Sequence, residues 1–397
     1  VRDAALATGT GARLRALLEQ RTDANARFFD AESERLARLC HRMAERFARG
    51  GRLVAFGRSP AARSDARHIA VEFVHPVIVG KRALPALGLA AEGGDLAGQV
   101  TLLAGPDDIA IAFGAGDDGG EARRAIAVAR ERGCLTVAFA PAGAEWEFLP
   151  PADDDSVRQE LIETLYHLLW ELVHVFFDHR GLLEGRSARA VHDAGASSFL
   201  YPFLDERESD LESVVADVRR SVLIKAAEIG ALREQTLTDN AATLTAAAAT
   251  LRAAFTADGK LLALGNGGSA TDAMDVVADF RSAGRPAIDL TEDPAILTAI
   301  ANDIGTEAIF SRQVIAYGDP GDVLVALSTS GNSANIIAAL GEARRRGLAT
   351  VAMVGYDGGR VAAEELADHV VVTRSEHIPR IQEAQASAYH ALQELVG

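Results

Sequence analysis

Hydrophobic residues along this chain gather in short unbroken runs that end in glycine or serine, separated by longer stretches with helical spacing. Gly51-Arg-Leu-Val-Ala-Phe-Gly57 and Gly259-Lys-Leu-Leu-Ala-Leu-Gly265 are two such runs. Each reads as a buried strand entering a tight loop. In the later part of the chain the pattern predicts strands near Leu261–Leu264, Ala287–Leu290, Asp322–Leu327, Thr350–Met353 and His369–Val372. Helices are predicted over Ser269–Ser282, Ser333–Arg346 and Pro379–Val396, with Pro379 suited to a first helical position. An Ala-rich amphipathic region, Asp210 to Phe255, predicts further helix before them. Strands alternating with helices are the grammar of a parallel sheet covered on both faces, an α/β fold.

The pattern occurs twice. Asp108-Ile-Ala-Ile-Ala-Phe-Gly114 parallels Asp322-Val-Leu-Val-Ala-Leu-Ser328, and Ala129-Arg-Glu-Arg-Gly-Cys-Leu-Thr-Val137 parallels Ala343-Arg-Arg-Arg-Gly-Leu-Ala-Thr-Val351. Gln159-Glu160 with Tyr166-His167 parallels Gln382-Glu383 with Tyr389-His390. The order is the same throughout, and the separation drifts only from 207 residues (Asp65 to Asp272) to 223 (Gln159 to Gln382). The chain is therefore an internal duplication. The Gly-, Ser- and Ala-rich segment Gly181 to Ser198 is the expected connection, giving domains over 1–195 and 196–397.

A length of 397 residues suits two such domains, and 48% hydrophobic with 24% charged residues excludes a disordered chain. The formal net charge of −16 argues against nucleic acid as the partner, since phosphate-backbone binding needs a dense basic face. It leaves room for a small anionic substrate held in one local pocket. Two cysteines, Cys40 and Cys134, are too few for a disulfide scaffold and fit a reducing compartment. No charged-then-apolar leader is visible, and the greasiest run, Leu165 to Phe177, is broken by His167, Glu171 and His174. The expectation is a soluble, cytoplasmic protein with no membrane partner.

Two loops carry candidate chemistry in the second copy. Gly265-Asn266-Gly267-Gly268-Ser269 lies between a predicted strand and helix, where backbone N–H groups can approach an anion. A tight turn alone would need the same glycines. Ser328-Thr329-Ser330-Gly331-Asn332-Ser333 places four hydroxyls in six residues at the next strand-to-helix junction. A helix cap needs one hydroxyl; four make a neutral, donor-rich cradle for a phosphate monoester.

These residues resemble the two loops of the sugar isomerase (SIS) domain family and, more narrowly, of phosphoheptose isomerases. The resemblance runs from about Leu251 to Val396 and includes Asp272-Ala-Met, Ala301-Asn-Asp303, Phe310-Ser-Arg312, Asp357-Gly-Gly359 and Arg380-Ile-Gln-Glu383. It implies a five-stranded parallel sheet between helices. It also implies conversion of sedoheptulose 7-phosphate to glycero-manno-heptose 7-phosphate through an enediol. Ser269, Ser328, Thr329, Ser330 and Ser333 would hold the phosphate, with Asn266, Gly267 and Gln382 in the substrate set. Asp303 would contact the sugar or complete the pocket. The family assembles as a homotetramer, so two tandem chains in a homodimer would supply its four SIS units.

In the family, a histidine and a glutamate one helical turn apart are catalytic and zinc-associated, together with a glutamine and a second histidine eight residues later. The second copy has Asp275, Asp279, Gln382 and His390 there, and Pro379 where a sugar-binding aspartate is common. The first copy has His68, Glu72, Gln159 and His167. Its loops have lost the phosphate pattern: Gly57-Arg58-Ser59-Pro60-Ala61 lacks the glycine pair and serine, and Gly114-Ala-Gly-Asp-Asp-Gly119 has no hydroxyl. By this resemblance Asp279, His390, Glu72 and His167 are catalytic. The metal ligands are His68, Glu72, Gln159 and His167, with Asp275, Asp279, Gln382 and His390 as the alternative set. Zinc is the implied cofactor, with no nucleotide. The competing reading of His68 and His167 is a packed polar pair. Eight residues of helix rise about 12 Å, too far for both ends to reach one ion, so a centre composed from both copies is expected. A regulatory sugar-phosphate-binding protein of the initiator-associating SIS type is the alternative function.

Overall fold

The computed structural model describes residues 9–77, 81–90, 94–114, 120–178, 182–183 and 210–397. The chain forms two compact units, one of residues 24–227 and one of residues 1–23 with 228–397. They are called the N-terminal and C-terminal units. The expected connection at 181–198, and the expected division at residue 195, fall outside the described residues apart from Leu182 and Leu183.

In the C-terminal unit, α6 (Leu211–Asp239, shared with the other unit) and α7 (Ala241–Thr256) precede β6 (Leu261–Leu264), α8 (Gly268–Ser282) and β7 (Ala287–Asp289). Then follow α9 (Pro294–Asp303), a 3-10 turn, α10 (Ser311–Tyr317), β8 (Val323–Ser328), α11 (Ala334–Arg345) and β9 (Ala349–Gly355). α12 (Gly359–Ala363), β10 (His369–Thr373) and α13 (Ile378–Val396) complete it. The strands form one parallel sheet in the order β10-β9-β8-β6-β7. Side-chain alternation splits it into two cores. Leu261, Ala263, Val323 and Val325 pack with α7, α8 and α13 through Leu244, Ala273 and Leu392, and Leu14 and Leu17 of α1 (Gly9–Ala48) join them. Leu262, Leu264, Leu324 and Ala326 pack on the other face with Val314 and Ile336. β6 and β8 are buried throughout, which is why they read as unbroken apolar runs.

The N-terminal unit repeats the plan. β1 (Leu53–Phe56), α2 (Pro60–Val74), β2 (Ala86–Leu89), α3 (Leu96–Leu103) and β3 (Ile109–Ala112) lead to α4 (Glu121–Glu131), β4 (Leu135–Ala138), β5 (Trp146–Glu147) and α5 (Asp155–Asp178). The parallel order is β2-β1-β3-β4-β5. One device recurs in both units. The Asp108 carboxylate accepts from the Arg52 backbone N–H at 2.7 Å and pairs with the Arg52 guanidinium at 2.9 Å. Asp322 does the same for Lys260, at 2.9 and 2.7 Å.

Every strand and helix predicted for the second copy is present within a residue or three. The pattern left out α9, the 3-10 turn, α10 and the short α12. None of the α9 residues is fully buried, and only Leu297 packs half-buried on the core, so its apolar spacing is a weak signal. A signal was there: Asp293 accepts from Ala295 N and Ile296 N at 2.8 and 3.2 Å, with Pro294 behind it, an N-cap followed by a first-turn proline. Among the described residues no helix is long and apolar enough to cross a membrane. Cys40 and Cys134 are both free and buried.

Candidate active site

Strand order in the C-terminal sheet reverses between β6 and β8: the chain passes from β6 to β7 on one side and from β8 to β9 on the other. Loops at such a point flank the crevice where ligands of open parallel sheets bind. Both candidate loops are there. Gly265 ends β6 so close to the next helix that a Cβ on it would lie 2.0 Å from the Ser269 carbonyl oxygen, so no other residue fits. Gly267 has φ 59° and ψ −124° and opens α8, and Ser269 is buried in the first turn. Asn266 is exposed, and its side-chain amide is paired with that of Asn335 on α11.

The second loop continues from β8. Ser328 Oγ accepts from Gly331 N–H at 3.1 Å, and Ser330 Oγ accepts from Asn332 N–H at 3.2 Å. The loop is braced from the next turn, where Val361 N–H donates to Gly331 O at 3.1 Å and Arg360 N–H donates to Asn332 Oδ1 at 2.9 Å. Thr329, Ser330 and Ser333 are half-buried. Ser333 is the N-cap of α11, yet its hydroxyl makes no cap bond to the helix. The loop therefore presents neutral hydroxyls and helix-start N–H groups together, a chemistry suited to a phosphate.

Asp279 on α8 and His390 on α13 meet, with Oδ2 3.6 Å from Nε2; His390 is buried while Asp279 keeps 30% of its side-chain exposure. Asp275 lies buried one turn before Asp279, and Gln382 is buried in the first turn of α13. Asp303 ends α9, exposed, and accepts from Asn302 Nδ2 at 2.7 Å. Arg380 and Glu383 form a buried ion pair beside Gln382.

In the N-terminal unit the corresponding loop joins Phe56 of β1 to Pro60 of α2. A Cβ on Gly57 would meet the Cβ of Ala62 at 2.4 Å, so alanine stands where the C-terminal unit has Ser269. Ser59 Oγ is occupied as the cap of α2, accepting from Ala62 N–H at 3.3 Å. Residues 115–119 of the second loop lie outside the described residues.

Between α2 and α5 the same unit holds a different chemistry. His68 on α2 and His167 on α5 bring their Nε2 atoms to 3.4 Å. Glu163 joins them, so that one donor atom from each of the three buried residues lies within 4.8 Å of the others. Two ligands about 2.0–2.1 Å from a tetrahedral zinc stand about 3.3–3.4 Å apart, so the imidazole spacing fits a shared ion. Burial first, and the neighbouring His167 second, push His68 well below the usual histidine range. It is therefore held neutral, the form that ligates metal. The Tyr166 hydroxyl lies 2.9 Å from His68 Nδ1 and orients the ring.

Of the expected N-terminal ligands, His68 and His167 come together, and Glu72 lies 3.9 Å from His68 Nε2. Gln159 and Gln382 sit inside α5 and α13, so the helix rise separates each from its histidine. Glu163, halfway along that interval, was not singled out from the sequence. Its spacing of four from His167 on a predicted apolar helix was the available signal.

A family profile described as SIS domain matches residues 226–355. The phosphoheptose isomerase of Roseiflexus sp. (strain RS-1) is 43% identical over 174 residues, 42% of this chain and 86% of the relative. That of Chlorobium phaeobacteroides (strain DSM 266 / SMG 266 / 2430) is also 43% identical, over 202 residues, 49% of this chain and 85% of the relative. For the fold alone, the C-terminal domain of glucosamine-fructose-6-phosphate aminotransferase from Francisella tularensis superposes with a TM-score of 0.60 at 9% identity, covering 96% of this chain and 93% of that one. With duplicated parallel sheets, SIS-type loops and relatives matched over most of their own length, the chain belongs to the SIS domain family.

Proposed function

We propose that this protein is a sugar-phosphate ketose–aldose isomerase that converts sedoheptulose 7-phosphate to glycero-manno-heptose 7-phosphate. The observation that carries the reading is the hydroxyl-rich crevice at the strand-order reversal of a unit that also brings Asp279 and His390 to 3.6 Å. The identity to phosphoheptose isomerases supports the substrate class. Ser269, Ser328, Thr329, Ser330 and Ser333, with Asn266 and Gly267, bind the phosphate and place the carbonyl end of the sugar. Asp279 and His390 then act as a proton-transfer pair between C1 and C2, one taking a carbon-bound proton while the other serves the oxygens. Asp303 and Gln382 contact the sugar hydroxyls.

His68, Glu163 and His167 are the residues that would hold a divalent zinc, with Glu72 beside them. A bound zinc supplies Lewis-acid charge. Two chains associate, and exposed Ile304, Ile315 and Tyr317 around α9 and α10 favour association. Light scattering at micromolar concentration should report a dimer.

One observation favours the regulatory alternative: Asp275 and Asp279 stand where the resemblance has histidine and glutamate, and Asp279 reaches one methylene less. The two readings separate in deuterated buffer. An isomerase exchanges the substrate's C1 or C2 hydrogen for deuterium, whereas a sensor binds the sugar phosphate without exchange.

A further inference from the structure

The two phosphate loops are anchored to different cores. α8 packs through Ala273, Val276 and Phe280 on one face of the sheet. α11 packs through Ile336, Ala339 and Leu340 on the other. The β6–β8 pairing, with Leu264 opposite Ala326, fixes where the loops begin, but their helix ends rest on opposite faces. A side-chain latch joins them beyond the strands: Asn266 Nδ2 donates to Asn335 Oδ1 at 3.0 Å, and Asn335 Nδ2 donates back to Asn266 Oδ1 at 2.9 Å. Asn335 Oδ1 also accepts from Ile336 N–H at 3.0 Å, which ties the latch to the start of α11.

We propose that Asn335 is a positioning residue which, through this reciprocal amide pair with Asn266, sets the width of the phosphate cradle. The N-terminal unit supplies an independent comparison. There Arg58, the second residue after β1, pairs with Glu121, the first residue of α4, at 3.2 Å. Asn266 is likewise the second residue after β6, and Asn335 lies in the first turn of α11. A crossing therefore exists in both crevices, as an ion pair where the phosphate hydroxyls are lost and as a neutral amide pair where they are kept. The neutral form suits an anion site. A carboxylate at 335 would repel a phosphate dianion at close range, and only a carboxamide both donates and accepts as the reciprocal pair requires.

The inference rests on the reading that loops 265–269 and 328–333 bind phosphate, and the experiment separates the two. Inorganic phosphate is titrated calorimetrically into the full chain, Asn335→Ala, Asn335→Asp, Asn266→Ala, Asn266→Ala/Asn335→Ala and Ser330→Ala/Ser333→Ala. Asn335→Ala should weaken binding fivefold or more while the midpoint of thermal unfolding moves little. Asn335→Asp should weaken it further, with a loss that shrinks as salt is added. The double asparagine variant should bind no worse than Asn266→Ala alone, because Asn335 acts only through Asn266. In the absence of phosphate, hydrogen exchange of 265–269 and 328–333 should quicken in Asn335→Ala. Unchanged affinity and unchanged loop protection in Asn335→Ala overturn the latch. Fully additive losses from Asn266 and Asn335 overturn it too, since Asn335 would then touch the anion on its own. Full phosphate affinity in Ser330→Ala/Ser333→Ala instead overturns the parent reading, and the exchange measurement still decides whether the latch exists.

Discussion

The two crevices started from one plan and now differ in kind. At the strand-order reversal of the C-terminal unit, Ser269 and the hydroxyls of 328–333 surround a neutral amide crossing. At the same place in the N-terminal unit, Ala62 replaces the serine and Arg58–Glu121 replaces the amides. Deeper down the difference reverses. The N-terminal unit gathers two imidazoles and a carboxylate with metal-ligand spacing, while the C-terminal unit has a carboxylate–imidazole pair. The scaffold is untouched in both, as Asp108 with Arg52 and Asp322 with Lys260 show. Loop chemistry, buried ionisable groups and scaffold rest on different residues, so each can change without the others. On the function proposed above, anion binding and proton transfer fall to the C-terminal unit and metal binding to the N-terminal one.

The largest expected effect tests the first assignment. Asp279→Asn keeps the shape of the side chain and removes its basicity, so turnover should fall by about 10²–10⁴-fold, the usual worth of general acid–base help. Phosphate affinity should stay within a few-fold of the parent. Steady-state kinetics beside calorimetry checks both, and turnover near the parental value would remove Asp279 from the chemistry.

The second assignment is tested by metal content. Zinc added to the apo chain and dialysed should remain at about one ion per chain in the parent, and should be lost from His68→Ala/His167→Ala. Glu163→Gln should lower the affinity more than Glu72→Gln, because Glu163 belongs to the three-donor group and Glu72 stands outside it. Retention in the double histidine variant, with loss in Asp275→Asn/Asp279→Asn, would invert the comparison.

Much of the fold was legible because parallel strands buried on both faces must read as continuous apolar runs, and β6, β8 and β9 do. The loops were legible because glycine and hydroxyl clusters at strand ends have few other uses. Three things were not. α9 has no fully buried residue and only Leu297 packs on the core, so its short apolar stripe was a weak signal. Glu163 looked like one more carboxylate on α5, since only the approach of α2 from about a hundred residues away gives it His68 as a neighbour. The early part of α1 joins the C-terminal core through Leu14 and Leu17, and Arg13 pairs with Glu394 at 2.7 Å. Which sheet an amphipathic helix covers is decided by tertiary packing, not by its own periodicity.

A smaller effect is expected at the phosphate hydroxyls. Each charge-assisted bond is worth about 1.5–3 kcal/mol, so Ser330→Ala/Ser333→Ala should weaken sugar-phosphate binding by a few kcal/mol at most. Ser59→Ala in the N-terminal unit should leave affinity unchanged and cost about 1 kcal/mol of stability, as loss of a helix cap does. Equal effects on binding at both sites would erase the distinction between the crevices.

The smallest expected effect is a slope. His174 in the N-terminal unit is buried with Nδ1 2.8 Å from Trp170 O and Nε2 2.9 Å from Arg82 O. Two carbonyl neighbours favour the imidazolium, but burial and then the Lys81 charge outweigh them and push His174 down to about 4. The folded value is thus below the unfolded one, so between pH 6.5 and about 4 the unfolded chain binds the extra proton. Stability from this group is complete above 6.5 and is lost as pH falls towards 4, at no more than about 1.4 kcal/mol per pH unit. His68, also depressed, adds in the same direction. Both tryptophans, Trp146 and Trp170, belong to the N-terminal unit, so their fluorescence follows that unit alone during denaturant unfolding. The unfolding free energy read this way should decline from pH 6.5 to pH 4.5. In His174→Gln the decline should be shallower, whatever the variant's absolute stability. An identical slope in parent and variant would show that the imidazole of His174 is not held neutral, and would leave His68 as the acid-sensitive group that distinguishes this unit.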